Sequence, residues 1–553
     1  MGVRFVTQLF ITRMSRITDY LRKMGKFILK YKFTILTLLY IGFIAFTPIR
    51  FTFSIPMLFL VVSFFFILNI LAKTRYTFII TFLLAFLLTF NAYFAFILKS
   101  DVSLEIMASI FETHLTEAAS MLKGVWLPAI IGLVVSTLLL YLAEKELKES
   151  KISVKLSIGY LLIYLFLFLP FLCYKRIKWM EEEELFKESP VRVIQDKVNL
   201  YAPILYGNIL TIMAYQDEMS KLKEFTNQDN KTLPEGITLN DTIQTPQKIY
   251  LVIGESAYRR HLSLYGYPVK TTPFLDSLSI ADTTQLKYYN GIAAAPFTRN
   301  ALRIALSFAS TRDLEPFYKN KTIIDLANDA GYETFWISNQ GNSGIQDSYL
   351  GYLSASTKKA IFTQGGYLAN DDLELIPILR EEHNNTNKQF FIIHLVGSHN
   401  NYIDRYDETD AIAIPGDNSL KTHYDRSIHH TDRVLHKIYD IMQQDSTAVL
   451  YYFSDHGEII GRGHGPWKNG VAQFDIPLVT IERNSKDLNL IVRKYLSPKT
   501  SLINNSSTTL ILAEILGYHI PQKYTEQAIE DGKYVRHADQ SYSLYSDVKE
   551  DIE

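Results

Sequence analysis

Three apolar runs in the second half of the chain end in side chains that can bind a metal ion. Glu255 lies near the end of the first run, His399 follows the second, and Asp455 and His456 follow the third. One such residue alone would be weak evidence, but parallel strands bring their carboxyl ends to the same edge of a sheet. Carboxylate and imidazole ligands together suit zinc, and they suit manganese less well. These residues therefore predict a metal site.

A nucleophile for this site has to come from another part of the chain. A loop of small residues, 293–297, leads into a helix-like segment at Ala301–Phe308, and Thr298 lies at or near the start of that helix. Backbone N–H groups at a helix start favour an anion. Taken alone, Thr298 would be interpreted as a simple helix N-cap. Beside a metal ion, however, coordination favours the alkoxide and makes Thr298 a competent nucleophile toward phosphorus.

Residues 248–553 carry the pattern of a globular α/β domain. Near-continuous apolar strands separated by helices predict a central, mostly parallel sheet that is covered on both faces. The predicted strands are Ile249–Ser256, Thr334–Ser338, Gln389–Gly397, Ala448–Asp455 and Ile476–Ile481, and the predicted helices include Lys321–Ala330, Asp371–Glu382 and Tyr424–Gln444.

The first third of the chain predicts a membrane domain of five helices. Its apolar stretches approach the roughly 20 residues that cross a bilayer core. The spans themselves hold almost no ionisable residues, which argues against a transporter. The predicted spans are Phe33–Thr47, Ile55–Ala72, Tyr76–Leu98, Val125–Ala143 and Leu156–Tyr174.

Basic residues predict the orientation in the membrane. Lys and Arg are concentrated in residues 13–32, 73–75 and 145–155, which places these segments and the N-terminus in the cytoplasm. Five spans then place everything after Tyr174 on the other side. We therefore expect a membrane domain at 1–174 with an amphipathic outer loop at 100–122. Interfacial helices and a linker follow at 175–247, and the extracytoplasmic catalytic domain occupies 248–553.

Composition excludes some functions. The net charge is −1, from 56 Lys and Arg against 57 Asp and Glu, so nothing suggests a nucleic-acid partner. The single cysteine, Cys173, lies within a predicted span and can form no intrachain disulfide. Sulfatases that use a formylglycine make it from Cys or Ser, so a Thr at position 298 also disfavours that chemistry.

Four sequence blocks resemble the signature blocks of the phosphoethanolamine transferases, which belong to the alkaline phosphatase and sulfatase superfamily. Phe335–Gln340 and the Tyr-rich stretch after His399 are closest to the branch that modifies the lipopolysaccharide core. The five predicted spans before the catalytic domain also match this family. The four blocks are Gly254–Asp276, Ala295–Phe308, His394–Tyr406 and Tyr452–Glu458.

The resemblance implies roles for individual residues. It implies one zinc ion held by Glu255, Thr298, Asp455 and His456, with a second metal site left open, and it makes Thr298 the residue that becomes phosphoethanolamine-modified. His399 and His464 match two histidines that the family places near the substrate phosphate or a second metal. The spacer before His464 is shorter here than is usual in the family.

The resemblance also implies substrate contacts outside the metal site. Phe111–Ala118 resembles a membrane-proximal substrate segment, which makes Glu117 and Thr113 candidate contacts. Some members carry a lysine after the strand that ends at Asn339. This chain lacks that lysine, and Asn339 is the substrate-binding candidate there. A second departure is that the lipid A enzymes contain several disulfides and this chain can form none.

The expected function is metal-dependent transfer of phosphoethanolamine from phosphatidylethanolamine to a lipopolysaccharide acceptor, on the core or lipid A, through a covalent phosphothreonine-type intermediate. The expected location is the bacterial inner membrane, with the catalytic domain in the periplasm. Two alternatives stay open at this point. One is a phosphoglycerol transferase that acts on an envelope glycan, and the other is a non-catalytic membrane sensor on the same fold.

Overall fold

A computed structural model describes most of the chain. Its residues divide into two compact units. The N-terminal unit comprises residues 1–102 and 124–214, and the C-terminal unit comprises residues 103–123 and 215–553. The described residues are 18–46, 55–75, 77–97, 102–112, 115–177, 195, 198–199, 201–226, 231–340, 349–363, 371–485 and 488–550.

The N-terminal unit is helical. Four of its described helices are long and apolar enough to cross a membrane, and a fifth span results if a pair bent by 77° counts as one. The first predicted span, Phe33–Thr47, corresponds to a helix of only 14 residues in this bent pair. The helices that lie wholly or partly in this unit are Thr18–Lys30, Lys32–Ala45, Ile55–Lys73, Phe78–Phe96, Leu115–Leu147, Val154–Ile163, Leu169–Ile177 and Leu205–Thr226, with a π-helical turn at Tyr164–Phe168.

The C-terminal unit is built on an eight-stranded sheet in the order β5-β4-β6-β2-β7-β8-β3-β9. Five of its seven strand pairings are parallel, and β8 runs antiparallel to both β7 and β3. The prediction of a mostly parallel central sheet is therefore confirmed. Its strands are β2 (Lys248–Gly254), β3 (Leu286–Ile292), β4 (Glu333–Ser338), β5 (Lys359–Phe362), β6 (Gln389–His394), β7 (Ala448–Ser454), β8 (Asp475–Arg483) and β9 (Leu502–Asn504).

Two short antiparallel pairs lie outside this sheet. They pair β1 (Thr238–Leu239) with β10 (Tyr518–His519), and β11 (Tyr534–Arg536) with β12 (Tyr542–Leu544).

Helices and apolar side chains cover both faces of the large sheet. Along β2, Leu251 and Ile253 belong to one buried cluster while Tyr250 and Val252 belong to another. Successive side chains of a strand point to opposite faces, so a near-continuous apolar strand must be buried on both sides. The main helices are Pro273–Ala281, Thr298–Ala305, Ile323–Asp329, Tyr349–Ala355, Leu375–Glu382, Glu408–Ala413, Leu420–Met442, Leu488–Lys494, Thr508–Ile515 and Gln522–Asp531.

Three strands of the sheet lie outside the five predicted ones. In β3, residues 287–290 are exposed or half-exposed and the buried residues lie at its two ends, so the strand lacks the continuous apolar run by which the others were recognised. The strands β5 and β9 have only four and three residues, too few for a periodic signal.

The long helix Leu420–Met442 is tied to neighbouring segments by a buried imidazole. Nδ1 of His430 lies 2.7 Å from Asp410, and its Nε2 lies 2.8 Å from Asp371. Arg433 also contacts Asp410, at 2.8 Å. Burial acts to lower the pKa of His430, but the hydrogen bonds to the two carboxylates outweigh it and raise this pKa to about 10. The imidazole is therefore charged at neutral pH.

Replacing this imidazole should change how stability depends on pH. The charged form contributes fully below the ordinary pKa of 6.5, and its contribution is lost as the pH rises toward about 10. We expect His430→Gln to lower the free energy of unfolding by about 2 kcal/mol near pH 7. The expected loss is limited to this size because Asp371 is partly exposed and its ion pair is screened by water. Between pH 6 and 10, the unfolding temperature of the full chain in detergent should fall less steeply with pH in the variant than in wild type. The prediction is wrong if the unfolding temperature of His430→Gln falls with pH as steeply as that of wild type. It is also wrong if the exposed control His436→Gln gives the same change as His430→Gln.

Candidate metal centre

Two neighbouring parallel strands deliver the acidic side chains of the site. The last residues of β2 and β7, Gly254 and Ser454, are partners in register. Glu255 and Asp455 are the next residue on each strand, and Asp455 N–H donates to the carbonyl of Gly254 at 3.0 Å. The two carboxylates therefore leave the sheet side by side at its carboxyl edge, where α/β folds bind ligands. Both are at most 1% exposed.

The backbone around Glu255 is tightly constrained. Ser256 adopts a left-handed conformation with φ of 58°, which is uncommon for a residue with a Cβ. Its N–H donates to Asp455 Oδ1 at 3.2 Å, and its hydroxyl donates to Glu255 Oε1 at 2.7 Å. Gly397 packs directly against Glu255, and a Cβ at that position would lie 2.7 Å from the Glu255 carbonyl oxygen. These contacts hold the Glu255 side chain in one place.

Thr298 is the first residue of the helix Thr298–Ala305, and Phe297 occupies the N-cap position. The predicted helix at Ala301–Phe308 therefore begins three residues too late. The Thr298 hydroxyl does not cap the helix. It donates to Glu255 Oε2 at 3.1 Å and lies 3.3 Å from His456 Nε2.

The four candidate ligands gather round a common centre. His456 Nε2 lies 3.3 Å from Glu255 Oε1 and 3.2 Å from Asp455 Oδ2. These separations match the edge of a tetrahedron around an ion bound at about 2.0 Å, which is about 3.3 Å. Asp455 Oδ2 is buried and accepts no hydrogen bond within the described part of the chain. A hydroxyl, two carboxylates and an imidazole in this arrangement fit a zinc-type cation.

The electrostatics of the site also favour a cation. Burial raises the pKa of Asp455 well above its ordinary range, and the neighbouring Glu255 raises it further. Burial opposes ionisation of Glu255 as well, but the imidazoles of His456, His399 and His464 hold the pKa of this carboxyl well below its usual range. Two buried carboxylates that share one site repel each other, and a divalent ion between them relieves that repulsion.

His399 and His464 lie beside this centre. Their ligand atoms and that of Glu255 are all within 4.8 Å of one another. The ring of His464 lies 3.9 Å from that of His456, and its Nδ1 is 2.6 Å from Glu458 Oε2. The shorter spacer in this chain thus still brings His464 to the site.

The side chain of Asn339 contacts residues outside the candidate metal centre. Its side-chain amide donates to Asp372 at 2.8 Å and its carbonyl oxygen accepts from Thr363 at 2.6 Å, so both of its polar atoms are used in a buried contact. The next residue, Gln340, donates to Glu255 Oε2 at 3.0 Å. Neighbouring residues at a strand end point in opposite directions, so Gln340 faces Glu255 while Asn339 faces Asp372 and Thr363. The substrate-binding role of Asn339 stays a prediction.

Two predicted substrate contacts are not placed by the structure. Thr113 lies outside the described residues. Glu117 belongs to the helix Leu115–Leu147, but its side chain lies outside the described part. Both remain predictions.

Several residues of the site carried no recognisable signal in the sequence. Asn505, just after β9, donates to the carbonyl of Asp455 at 3.1 Å and accepts from Ala294 N–H at 2.9 Å. It thereby links the metal-binding strand end to the loop before Thr298. Glu458 lies inside a recognised block, but its contact with His464 could not be read from spacing.

Removing one buried carboxylate should abolish tight metal binding. We expect Asp455→Asn to reduce bound zinc from about one ion per chain to a small fraction of that, because a neutral amide is a poor ligand for zinc. Elemental analysis of the purified full chain after dialysis measures the content. The control is Glu315→Gln, an exposed residue paired with Lys319. Equal zinc in Asp455→Asn and the control would contradict the assignment.

This chain is similar to known proteins over part of its length. A sulfatase family model matches residues 247–514. The phosphoethanolamine transferase EptC of Escherichia coli K12 is 31% identical over 261 residues, covering 44% of this chain and 45% of the relative. The phosphoethanolamine transferase CptA of Salmonella typhimurium is 29% identical over 262 residues, with the same coverage. The matches thus span less than half the length of these relatives.

One solved structure is similar over most of the chain. It is the integral membrane protein lipooligosaccharide phosphoethanolamine transferase A from Neisseria meningitidis, with a TM-score of 0.59 at 16% identity, covering 87% of this chain and 91% of that one. At this identity the likeness shows a shared fold. The chain thus contains a sulfatase domain at residues 247–514 and is similar over part of its length to curated phosphoethanolamine transferases.

Proposed function

We propose that this chain transfers phosphoethanolamine from phosphatidylethanolamine to a lipopolysaccharide acceptor, on the core or lipid A, in a metal-dependent reaction. The observation that carries the proposal is the Thr298 hydroxyl, 3.1 Å from Glu255 and 3.3 Å from His456 in a buried cation-binding arrangement. A nucleophile placed among metal ligands suits displacement at phosphorus. The names of the relatives supply the transferred group.

In the first step Thr298 attacks the donor phosphorus. Glu255, Thr298, Asp455 and His456 would hold a zinc ion, whose Lewis acidity would lower the pKa of the Thr298 hydroxyl and neutralise charge on the phosphoryl oxygens. Glu255 Oε2, which accepts the hydroxyl hydrogen bond, is placed to receive the proton. The new bond joins Thr298 Oγ1 to phosphorus, and the bond from phosphorus to the glycerol oxygen breaks. Diacylglycerol leaves once that oxygen gains a proton.

In the second step an acceptor hydroxyl or phosphate attacks the phosphoethanolamine-threonine. The bond between Thr298 Oγ1 and phosphorus breaks, and Thr298 regains its proton. His399 and His464 are the side chains beside the centre that can exchange protons with leaving and entering oxygens. Glu458 pairs with His464 Nδ1 at 2.6 Å and so holds this ring in orientation. Catalysis of this kind depends mainly on positioning and charge stabilisation.

The proposed location is the bacterial inner membrane, with a cytoplasmic N-terminus and the catalytic unit in the periplasm. The four or five apolar helices and the basic segments between them support this orientation. Both substrates are membrane lipids in this proposal. An anchored enzyme meets them at high local concentration, so tight binding of either is not needed.

The covalent intermediate provides the test. Incubation of the purified full chain with phosphatidylethanolamine, without acceptor, should add one phosphoethanolamine mass to the peptide that contains Thr298. Thr298→Ala should abolish this adduct and lower transfer by about 10³-fold or more, while Thr298→Ser should retain measurable labelling because it keeps a hydroxyl. Peptide mass spectrometry measures both. A phosphoglycerol adduct from phosphatidylglycerol would replace the proposed donor, and no adduct on wild type would contradict an enzyme of this kind.

A further inference from the structure

The residue after Thr298 lies at the centre of a buried charge cluster within the C-terminal unit. Arg299 is 7% exposed, and its Nε lies 3.2 Å from Glu112 Oε1. Its other guanidinium nitrogens lie 3.5 Å from Glu105 Oε2 and 3.3 Å from Glu218 Oε2. A planar guanidinium that meets three carboxylates at once is held in one orientation. We refer to Arg299, Arg303, Glu105, Glu112 and Glu218 as the arginine cluster.

Glu218 connects two turns of the helix that begins with the nucleophile. Its Oε1 lies 3.0 Å from Arg303, while its Oε2 contacts Arg299. Residues four apart lie on the same face of a helix, so the Glu218 carboxylate can contact both guanidiniums. The hydroxyl of Tyr349 donates to Glu218 Oε1 at 2.6 Å, and its ring covers the Arg299 guanidinium at 4.2 Å. The first turn of Thr298–Ala305 is therefore held from the side as well as by its backbone.

The arginine cluster holds more carboxylates than guanidiniums, and removal of Arg299 would increase this excess of negative charge. Three carboxylates face two guanidiniums, and burial already raises the pKa of Glu112 to about 7 against the opposing effect of Arg299. Loss of Arg299 would leave three buried acids with Arg303 as the remaining cation of the cluster. Mutual repulsion would then move the acidic segments away from the helix.

Two of these acids come from the segment that precedes the predicted lipid contacts. Glu105 and Glu112 lie on the helix Leu104–Glu112, and Glu105 also accepts a hydrogen bond from Gln540. In sequence, Thr113 and Glu117 follow directly after this helix. Arg299 thus joins the helix Leu104–Glu112 to the helix that begins with Thr298.

We propose that Arg299 is a positioning residue for the transfer reaction. It fixes the direction of the Thr298 hydroxyl toward Glu255 and His456, and it fixes the position of the helix Leu104–Glu112 relative to Thr298. This inference rests on the proposed function, in which Thr298 is the nucleophile. Arg299 itself touches neither the reacting atoms nor the metal ligands except through the backbone it shares with Thr298.

The test is the rate of covalent labelling of Thr298 in the full chain with phosphatidylethanolamine vesicles as donor. We expect Arg299→Gln to slow labelling about 10- to 100-fold, since a misplacement of about 1 Å costs this much. The donor concentration at half-maximal rate should stay within about threefold of wild type, because the effect is on the displacement step. Bound zinc should stay near wild type. Arg433→Gln, which removes a distant ion pair to Asp407 and Asp410, is the matched control and should keep the wild-type rate.

A double variant separates positioning from general stabilisation. Arg299→Gln combined with Glu112→Gln relieves the excess negative charge, so the unfolding midpoint should rise above that of Arg299→Gln while labelling stays slow. Recovery of the rate together with the midpoint would overturn the inference. Where the Gln variants do not fold, Arg299→Lys keeps the charge without the planar fork. It should label more slowly than wild type, and a wild-type rate would likewise overturn the inference.

The two proposals fail in different ways. If wild type gives no adduct on Thr298, the proposed function is wrong. If wild type is labelled and Arg299→Gln is labelled equally fast, the transfer reaction stands and the positioning role of Arg299 is wrong.

Discussion

The repulsion between two buried carboxylates is the constraint on which the site depends. Parallel pairing of β2 with β7 places Glu255 and Asp455 one residue beyond a register pair, so they must emerge together. Burial of both would destabilise the fold unless positive charge faces them. His456 supplies part of that charge, and the geometry leaves room for a cation to supply the rest. The Thr298 hydroxyl lies in the same site, 3.1 Å from Glu255 and 3.3 Å from His456.

The site is held by contacts from several strand ends. Gly397 follows β6, Gln340 follows β4 and Asn505 follows β9, and each contacts Glu255 or the Asp455 backbone. The nucleophile helix, in turn, is held from its other side by the arginine cluster. Thr298 thus lies between two charged groups. In the candidate metal centre, carboxylates face a possible cation site, and in the arginine cluster, carboxylates surround the Arg299 guanidinium.

Sequence reasoning recovered what depends on continuous apolar strands and recognisable blocks. The strands that end near Glu255, His399 and Asp455 were found because both of their faces are buried, which leaves an unbroken apolar run. The strand β3 was missed because its middle residues are exposed or half-exposed, which leaves no continuous apolar run. The contact of Gln340 with Glu255 was not recognised because a motif gives the position of a strand end but not which side chain turns toward the site. The arginine cluster was missed because Glu105, Glu112 and Glu218 are distant in sequence from the two arginines. In the sequence, each of these acids resembles an ordinary surface residue.

The central claim is that Thr298, Glu255, Asp455 and His456 bind one ion. Anomalous X-ray diffraction at the zinc absorption edge, on crystals of the full chain, tests it most directly. We expect a strong anomalous peak at about 2.0–2.2 Å from the Thr298 hydroxyl oxygen, one carboxylate oxygen of each acid and His456 Nε2. A peak elsewhere, or one several ångströms from the Thr298 hydroxyl, would rule out this metal centre.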